Sequence, residues 1–157
     1  MKNSFFVVPM LACMGVLMVA CGDSSSESSA CNTGEVQCGE TCIPESDASL
    51  AWVQANVFDV NGCSAATCHA GDNVSTLEDL DLTSEQASYD SLVGVDSSQS
   101  DGVLVVESDA GSSYLINKMT GVDMAPMTQL MPIGATTPLC DAKLDGVRAW
   151  INAGASP

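Results

Sequence analysis

The stretch VFDVNGCSAATCHAG, residues 57–71, contains two cysteines and the single histidine of the chain. Cys63 and Cys68 are separated by four residues, and His69 follows Cys68 directly, which gives a C-x4-C-H motif. Apolar residues recur at spacings of three and four through residues 49–60, and this periodicity predicts a helix. The motif therefore begins directly after a predicted helix, at the point where an Asn-Gly pair ends it.

The chemistry of this motif is that of covalent haem attachment. The usual c-type attachment sequence is C-x2-C-H. Its two thiols form thioethers along one edge of the porphyrin, and the adjacent histidine binds the iron through its imidazole. The longer spacing here keeps Cys68 and His69 adjacent. The sequence therefore predicts haem c, with Cys63 and Cys68 as the attachment residues and His69 as an iron ligand.

Four methionines lie close together late in the chain, at Met119, Met124, Met127 and Met131. Thioether sulfur is a soft ligand that suits haem iron, and His/Met ligation raises the reduction potential. Iron takes at most one of the four, so the others are expected to fill gaps in the core. Pro132 restricts Met131 to an extended conformation that can present one side chain, which favours Met131 with Met124 as second choice.

Over residues 52–156 the chain resembles the single-domain c-type cytochrome modules of bacterial envelope lipoproteins, which are similar to planctomycete-type cytochrome c. The matching pieces are VFDVNGCSAATCHAG, ASYDSLVGV, SSYLINKMTG, Met131-Pro132 and LDGVRAWINAGA. The resemblance implies His69 as the proximal iron ligand and Met131 as the distal one. Two features depart from the family pattern: the spacing between the cysteines, and the lack of a proline between His69 and Pro126.

The chain divides into a signal peptide (1–20), a tether with a Cys-rich collar (21–48) and one domain (49–157). We predict an all-α, cytochrome c-like domain, with about four short helices and long loops around one haem. The β-like run Gly102–Glu107 is too isolated to make a sheet. Start signals for the three later helices stand at Thr83–Gln86, Ser112–Ser113 and Thr137–Pro138.

The first twenty residues are almost wholly apolar after Lys2 and are typical of a secretory signal. They end in LMVAC, which resembles a bacterial lipobox with Cys21 as the lipidated residue. The Ser-rich stretch 22–30 then serves as a polar tether. We expect a lipid-anchored protein of the bacterial cell envelope, on the outer membrane facing the periplasm or on the cell surface. Ordinary signal cleavage, with Cys21 as a bystander, is the alternative.

The collar sequence CNTGEVQCGETCIP, residues 31–44, contains Cys31, Cys38 and Cys42. Disulfides are expected because thiols are oxidised outside the cytoplasm, and a zinc knuckle is disfavoured because no histidine lies nearby. Three cysteines leave one without a local partner. Cys140 is the remaining partner if Cys63 and Cys68 are engaged elsewhere.

The charge balance limits the classes of function. With 4 Lys and Arg against 20 Asp and Glu, the formal net charge is −16. Nucleic-acid binding is excluded because phosphate contacts need clustered basic residues. The acidic surface instead favours a redox protein partner with a basic patch. One histidine among scattered acids supports no triad or acid/base pair, so we expect no enzyme activity.

Two other arrangements of the motif remain open. In a haem-free protein, Cys63 and Cys68 form a disulfide, or one of them pairs with Cys140. The domain is then a surface binding or structural module of a lipoprotein. In a zinc protein, Cys63, Cys68 and His69 bind the metal with a further ligand such as Asp72.

Overall fold

The structure, a computed structural model, describes residues 31–70 and 80–157. The signal peptide 1–20, the lipidation site Cys21 and Asp72 lie outside the described residues. The described elements, in chain order, are strands β1 (Glu35–Cys38) and β2 (Thr41–Pro44), helix α1 (Leu50–Val53) with a π-helix (Gln54–Asp59), α2 (Glu85–Leu92), a 3-10 turn (Ala110–Ser112), α3 (Tyr114–Thr120) and α4 (Asp141–Asn152).

The collar forms a β-hairpin, so the prediction of an all-α fold is wrong. Strands β1 and β2 pair antiparallel with Cys38 opposite Thr41, and Gly39-Glu40 makes the turn between them. Gly39 has a φ of +63°, which a two-residue hairpin turn requires. Each strand has only four residues and neither is buried, so no apolar alternation marks them in the sequence. The described residues form a mixed fold of four short α-helices and one two-stranded sheet.

Two disulfides hold the hairpin together and fix it to the domain. Cys31 is bonded to Cys42 within the collar, whereas Cys38 is bonded to Cys140 at the N-terminal end of α4. Cys63 and Cys68 are free thiols. The pairings considered for a haem-free protein, Cys63 with Cys68 or either of them with Cys140, are therefore wrong.

The first helix changes its geometry halfway. It covers most of the predicted range, but from Gln54 to Asp59 its turns widen to a π-helix. The Asn56 side-chain amide donates to the Trp52 carbonyl at 3.0 Å, which is the acceptor that an α-helix reserves for a backbone N–H. The wider turn continues into the motif, since the Cys63 N–H donates to the Phe58 carbonyl at 2.8 Å.

The core lies where α1 packs against α4. A side chain at Gly146 on α4 would overlap the indole ring of Trp52, so this glycine permits the close approach of the two helices. The Trp52 indole N–H also donates to the Pro44 carbonyl at 3.1 Å, which places the hairpin against α1. Trp150 and Ile151 of α4 are fully buried in the same core.

The β-like run Gly102–Glu107 pairs with the segment that follows α2, but only through isolated bridges. The Val105 N–H donates to the Leu92 carbonyl at 3.1 Å, and the Leu104 N–H donates to the Val95 carbonyl at 2.8 Å. This pairing brings Leu104 beside α2 and α3. Within residues 31–70 and 80–157, no helix has the length and apolar character needed to cross a bilayer.

Candidate cofactor-binding cavity

The C-x4-C-H motif folds into a closed loop. The His69 N–H donates to the Cys63 carbonyl at 2.9 Å, so the first and last residues of the motif are neighbours despite the longer spacing. Inside the loop, the Cys68 N–H donates to the Ala65 carbonyl at 2.8 Å. The four residues between the cysteines therefore form a compact bulge. Because of this bulge, Cys63, Cys68 and His69 remain close together.

The rest of the domain holds this loop at both ends. The hydrogen bond from the Cys63 N–H to the π-helix fixes its start. At its end, the Leu82 N–H donates to the His69 carbonyl at 2.9 Å. Leu82 is buried, and its own carbonyl accepts from the amide of Gln54, which is buried in the π-helix. The backbone of His69 is thus tied to the core through two short connections.

Cys63, Cys68 and His69 line one cavity of about 400 Å³. This volume lies in the range of ligand pockets, roughly 300–1,000 Å³. Most of its wall is apolar. The apolar side chains come from the π-helix, from α2, from α3 and from the loops after them, and they include Val57, Phe58, Leu92, Leu104, Leu115 and Leu139.

The structure separates the four candidate methionines. Met131 lines the cavity, and its N–H donates to the Lys118 carbonyl at 2.8 Å, so α3 holds the loop that carries it. Met119 on α3 also lines the cavity and is buried. Met127 is fully exposed, and Met124, the second choice from the sequence, borders a different, smaller pocket. Met131 and Met119 are therefore the thioethers within reach of this cavity.

Burial controls the ionisation of the motif. It raises the pKa of the Cys63 thiol from 9.0 to about 11, and the neighbouring Cys68 thiol adds to this shift. The cationic side chain of Lys143 acts in the opposite direction but does not offset the burial. At neutral pH the Cys63 thiol is therefore protonated.

No group of three or more His, Cys, Asp or Glu side chains in residues 31–70 and 80–157 is arranged to hold a metal ion. Cys63, Cys68 and His69 share a cavity wall but do not form such a group. Thioether attachment does not require them to converge on one atom, because only the histidine of the motif is an iron ligand.

Sequence reasoning missed two polar residues of the cavity, Lys118 and Gln99. The Lys118 ammonium donates to the Gln99 side-chain oxygen at 3.0 Å. The sequence places Lys118 three and four residues after Leu115 and Tyr114, so the three side chains share a helix face. A lysine on such a face often extends past its apolar neighbours to solvent, and only the packing shows that Lys118 is buried.

Comparison of the chain with protein-family models, with curated proteins and with solved structures finds no match. The functional interpretation depends on the motif and on the cavity. That cavity brings together two free thiols, one imidazole, one loop methionine and one lysine within apolar walls.

Proposed function

We propose that this protein is a monohaem c-type cytochrome lipoprotein of the bacterial cell envelope that carries out one-electron transfer. One observation supports the proposal most strongly. Cys63, Cys68, His69 and Met131, which the sequence selects for chemical reasons, line the same apolar cavity. Met131 is more than sixty residues away from the motif in the chain, so local sequence does not account for its position.

The residues of the cavity fit a covalently bound haem. Thioether formation adds a thiol S–H across a vinyl group, so each attachment cysteine must be free, and Cys63 and Cys68 are free. Imidazole nitrogen and thioether sulfur are the donor pair of cytochromes c. The apolar walls suit the flat hydrophobic ring of a porphyrin. When bound, haem supplies reversible one-electron chemistry at its iron.

The protein contributes attachment, ligation and exclusion of water. Cys63 and Cys68 would tether the porphyrin, while His69 and Met131 would bind its iron. Ligation by histidine and methionine raises the reduction potential, and the apolar shell limits access of solvent. The acidic surface would attract a redox partner with a basic patch and accelerate its association at low salt.

We further propose that Cys21 carries the lipid that anchors the protein, with residues 22–48 as spacer and collar. The lipobox-like LMVAC and the Ser-rich stretch after it support this part of the proposal. An acidic chain is repelled by an anionic bilayer, so the lipid rather than surface charge would provide the attachment. Cys21→Ala should release the protein from membranes, and a variant that stays bound as firmly as wild type would contradict it.

The experiment is intact-protein mass spectrometry, with an absorption spectrum, on protein made in a host competent for cytochrome c maturation. We expect the mass of one haem that acidified acetone does not extract. Cys63→Ala/Cys68→Ala should lose this covalent mass, whereas the matched variant Cys31→Ala/Cys42→Ala should keep it. A wild-type mass equal to polypeptide plus lipid would refute the proposal.

The second function to consider is a haem-free, disulfide-stabilised surface lipoprotein that binds a small molecule. The two disulfides and the apolar cavity support it as well, because neither requires haem. The mass measurement separates the two functions directly. A protein without covalent haem that keeps its cavity would favour the binding module.

A further inference from the structure

The wall of the cavity contains one cationic side chain. Lys118, on α3, is 8% exposed and lines the cavity. An ammonium group has three N–H donors. Among the described residues, Lys118 uses its ammonium for one hydrogen bond, to the side-chain oxygen of Gln99 at 3.0 Å. Gln99 lines the same cavity, so Lys118 and Gln99 together form a polar site in a mostly apolar wall.

The charge of Lys118 has no counter-charge among the described residues. The ion pair recorded in this part of the chain lies at the surface, between Arg148 and Asp145 at 3.1 Å. A buried charge without a partner of opposite sign is costly. Within residues 31–70 and 80–157, the ammonium therefore keeps two N–H donors for a ligand in the cavity.

We propose that Lys118, oriented by Gln99, binds a carboxylate of the molecule that fills the cavity. The ligand class is an amphipathic carboxylate, with an apolar body against the walls and its anionic group on the ammonium. Hydrogen bonds between an ammonium and a carboxylate are among the strongest in proteins. The carboxylate could belong to a porphyrin, in which case the inference rests on the proposed function, or to a free fatty acid.

The position of Lys118 gives this contact a further consequence. Its backbone carbonyl accepts from the Met131 N–H at 2.8 Å, while its side chain reaches Gln99. One residue thus holds the methionine loop through its backbone and the carboxylate through its side chain. The ligand is therefore fixed relative to Met131, and a substitution of the side chain leaves the backbone hydrogen bond in place.

The test is a binding titration with the full chain made in a host without haem-attachment enzymes. The probes are ferric protoporphyrin IX, its dimethyl ester, palmitate and hexadecanol. Loss of a charge-assisted hydrogen bond in Lys118→Met should weaken binding of the carboxylate form about ten- to a hundredfold. The ester and the alcohol should bind Lys118→Met as they bind wild type. Lys118→Arg should retain most of the affinity.

Arg148→Met is the control for loss of a cation, because Arg148 pairs with Asp145 at the surface at 3.1 Å and does not line the cavity. It should leave binding of every probe unchanged. Gln99→Glu is the second variant, since it keeps Lys118 and supplies a competing carboxylate beside it. It should weaken binding of the acids and leave the ester and the alcohol unaffected.

The outcomes separate this inference from the proposed function. Binding of palmitate that depends on Lys118, in a protein whose mass shows no covalent haem from the maturation-competent host, would keep the carboxylate site and refute the haem function. Binding of porphyrin with equal losses for acid and ester would refute the carboxylate site alone. Unchanged affinity of Lys118→Met for the acids, or a wild-type protein that binds neither acid, would also overturn the inference.

Discussion

Removal of the Cys38–Cys140 disulfide should destabilise the protein more than removal of Cys31–Cys42. The reason is the length of chain that each bond closes in the unfolded state. Cys38 and Cys140 are 102 residues apart in sequence, whereas Cys31 and Cys42 are 11 apart. Both bonds begin in the same hairpin, so the two removals form a matched pair that differs mainly in loop length.

The loop lengths give the expected magnitudes. In the chain-entropy description, a disulfide stabilises the folded state because it lowers the entropy of the unfolded chain. The longer loop then adds ~4.7 kcal/mol to the free energy of unfolding at 25 °C, and the shorter loop adds ~2.8 kcal/mol. The double variant Cys38→Ala/Cys140→Ala should therefore lose ~2 kcal/mol more free energy of unfolding than Cys31→Ala/Cys42→Ala. The longer bond also connects β1 to the start of α4, so its loss frees the hairpin from the helix.

The assay is equilibrium unfolding in urea under non-reducing conditions, followed by the fluorescence of the buried Trp52 and Trp150. Thiol titration of each variant verifies that the untouched disulfide is formed. The slope of the free energy against urea should rise most in Cys38→Ala/Cys140→Ala, because its unfolded chain is the less compact one. Equal losses of free energy in the two variants, or a larger loss for the short loop, would refute the reasoning.

Three further predictions concern the cavity and the core. In the haem-loaded protein, Met131→Ala should abolish the sulfur-to-iron charge-transfer band at the red end of the visible spectrum and lower the reduction potential. Met127→Ala, at an exposed site, should change neither the band nor the potential. A band that survives in Met131→Ala would assign the ligand to another methionine. Gly146→Ala should lower the free energy of unfolding by about 1–3 kcal/mol in a urea titration, because the added methyl group overlaps the Trp52 indole. An unchanged urea midpoint would mean that the indole ring has room to move. In the haem-free protein, burial raises the pKa of the Cys63 thiol from 9.0 to about 11, so the folded state favours the neutral thiol. The free energy of unfolding should therefore fall as the pH rises from 9.0 to about 11, and Cys63→Ala should remove this dependence.

The helices were the most predictable part of the fold, because their signals are local. Ser84, within the predicted start signal Thr83–Gln86, caps α2 by accepting from the Ala87 N–H, and Gly121 ends α3 with a φ of +77°. Helix α4 begins at Asp141, three residues after Pro138. Its cap, Cys140, is bonded to Cys38, and a start signal in the local sequence contains no information about such a distant partner.

The hairpin and the wall of the cavity were harder to predict. Neither four-residue strand contains a fully buried residue, so the collar carries no apolar period that distinguishes it from a loop. Chemistry placed Cys63, His69 and Met131 at one site, and the structure brings them to one cavity. Lys118 escaped notice because its significance depends on which face of α3 is covered, and only tertiary packing determines that.

The burial of Cys63 also affects how its thiol reacts while the two disulfides of the chain form. Six cysteines remain in residues 31–157, and two disulfides must form without capturing the two thiols of the motif. Thiol–disulfide exchange proceeds through the thiolate, and a thiol whose pKa is about 11 is ionised to only about one part in ten thousand at pH 7. In the folded chain, burial therefore slows the reaction of the Cys63 thiol with disulfides. Burial thus keeps this thiol reduced, as the proposed haem attachment would require.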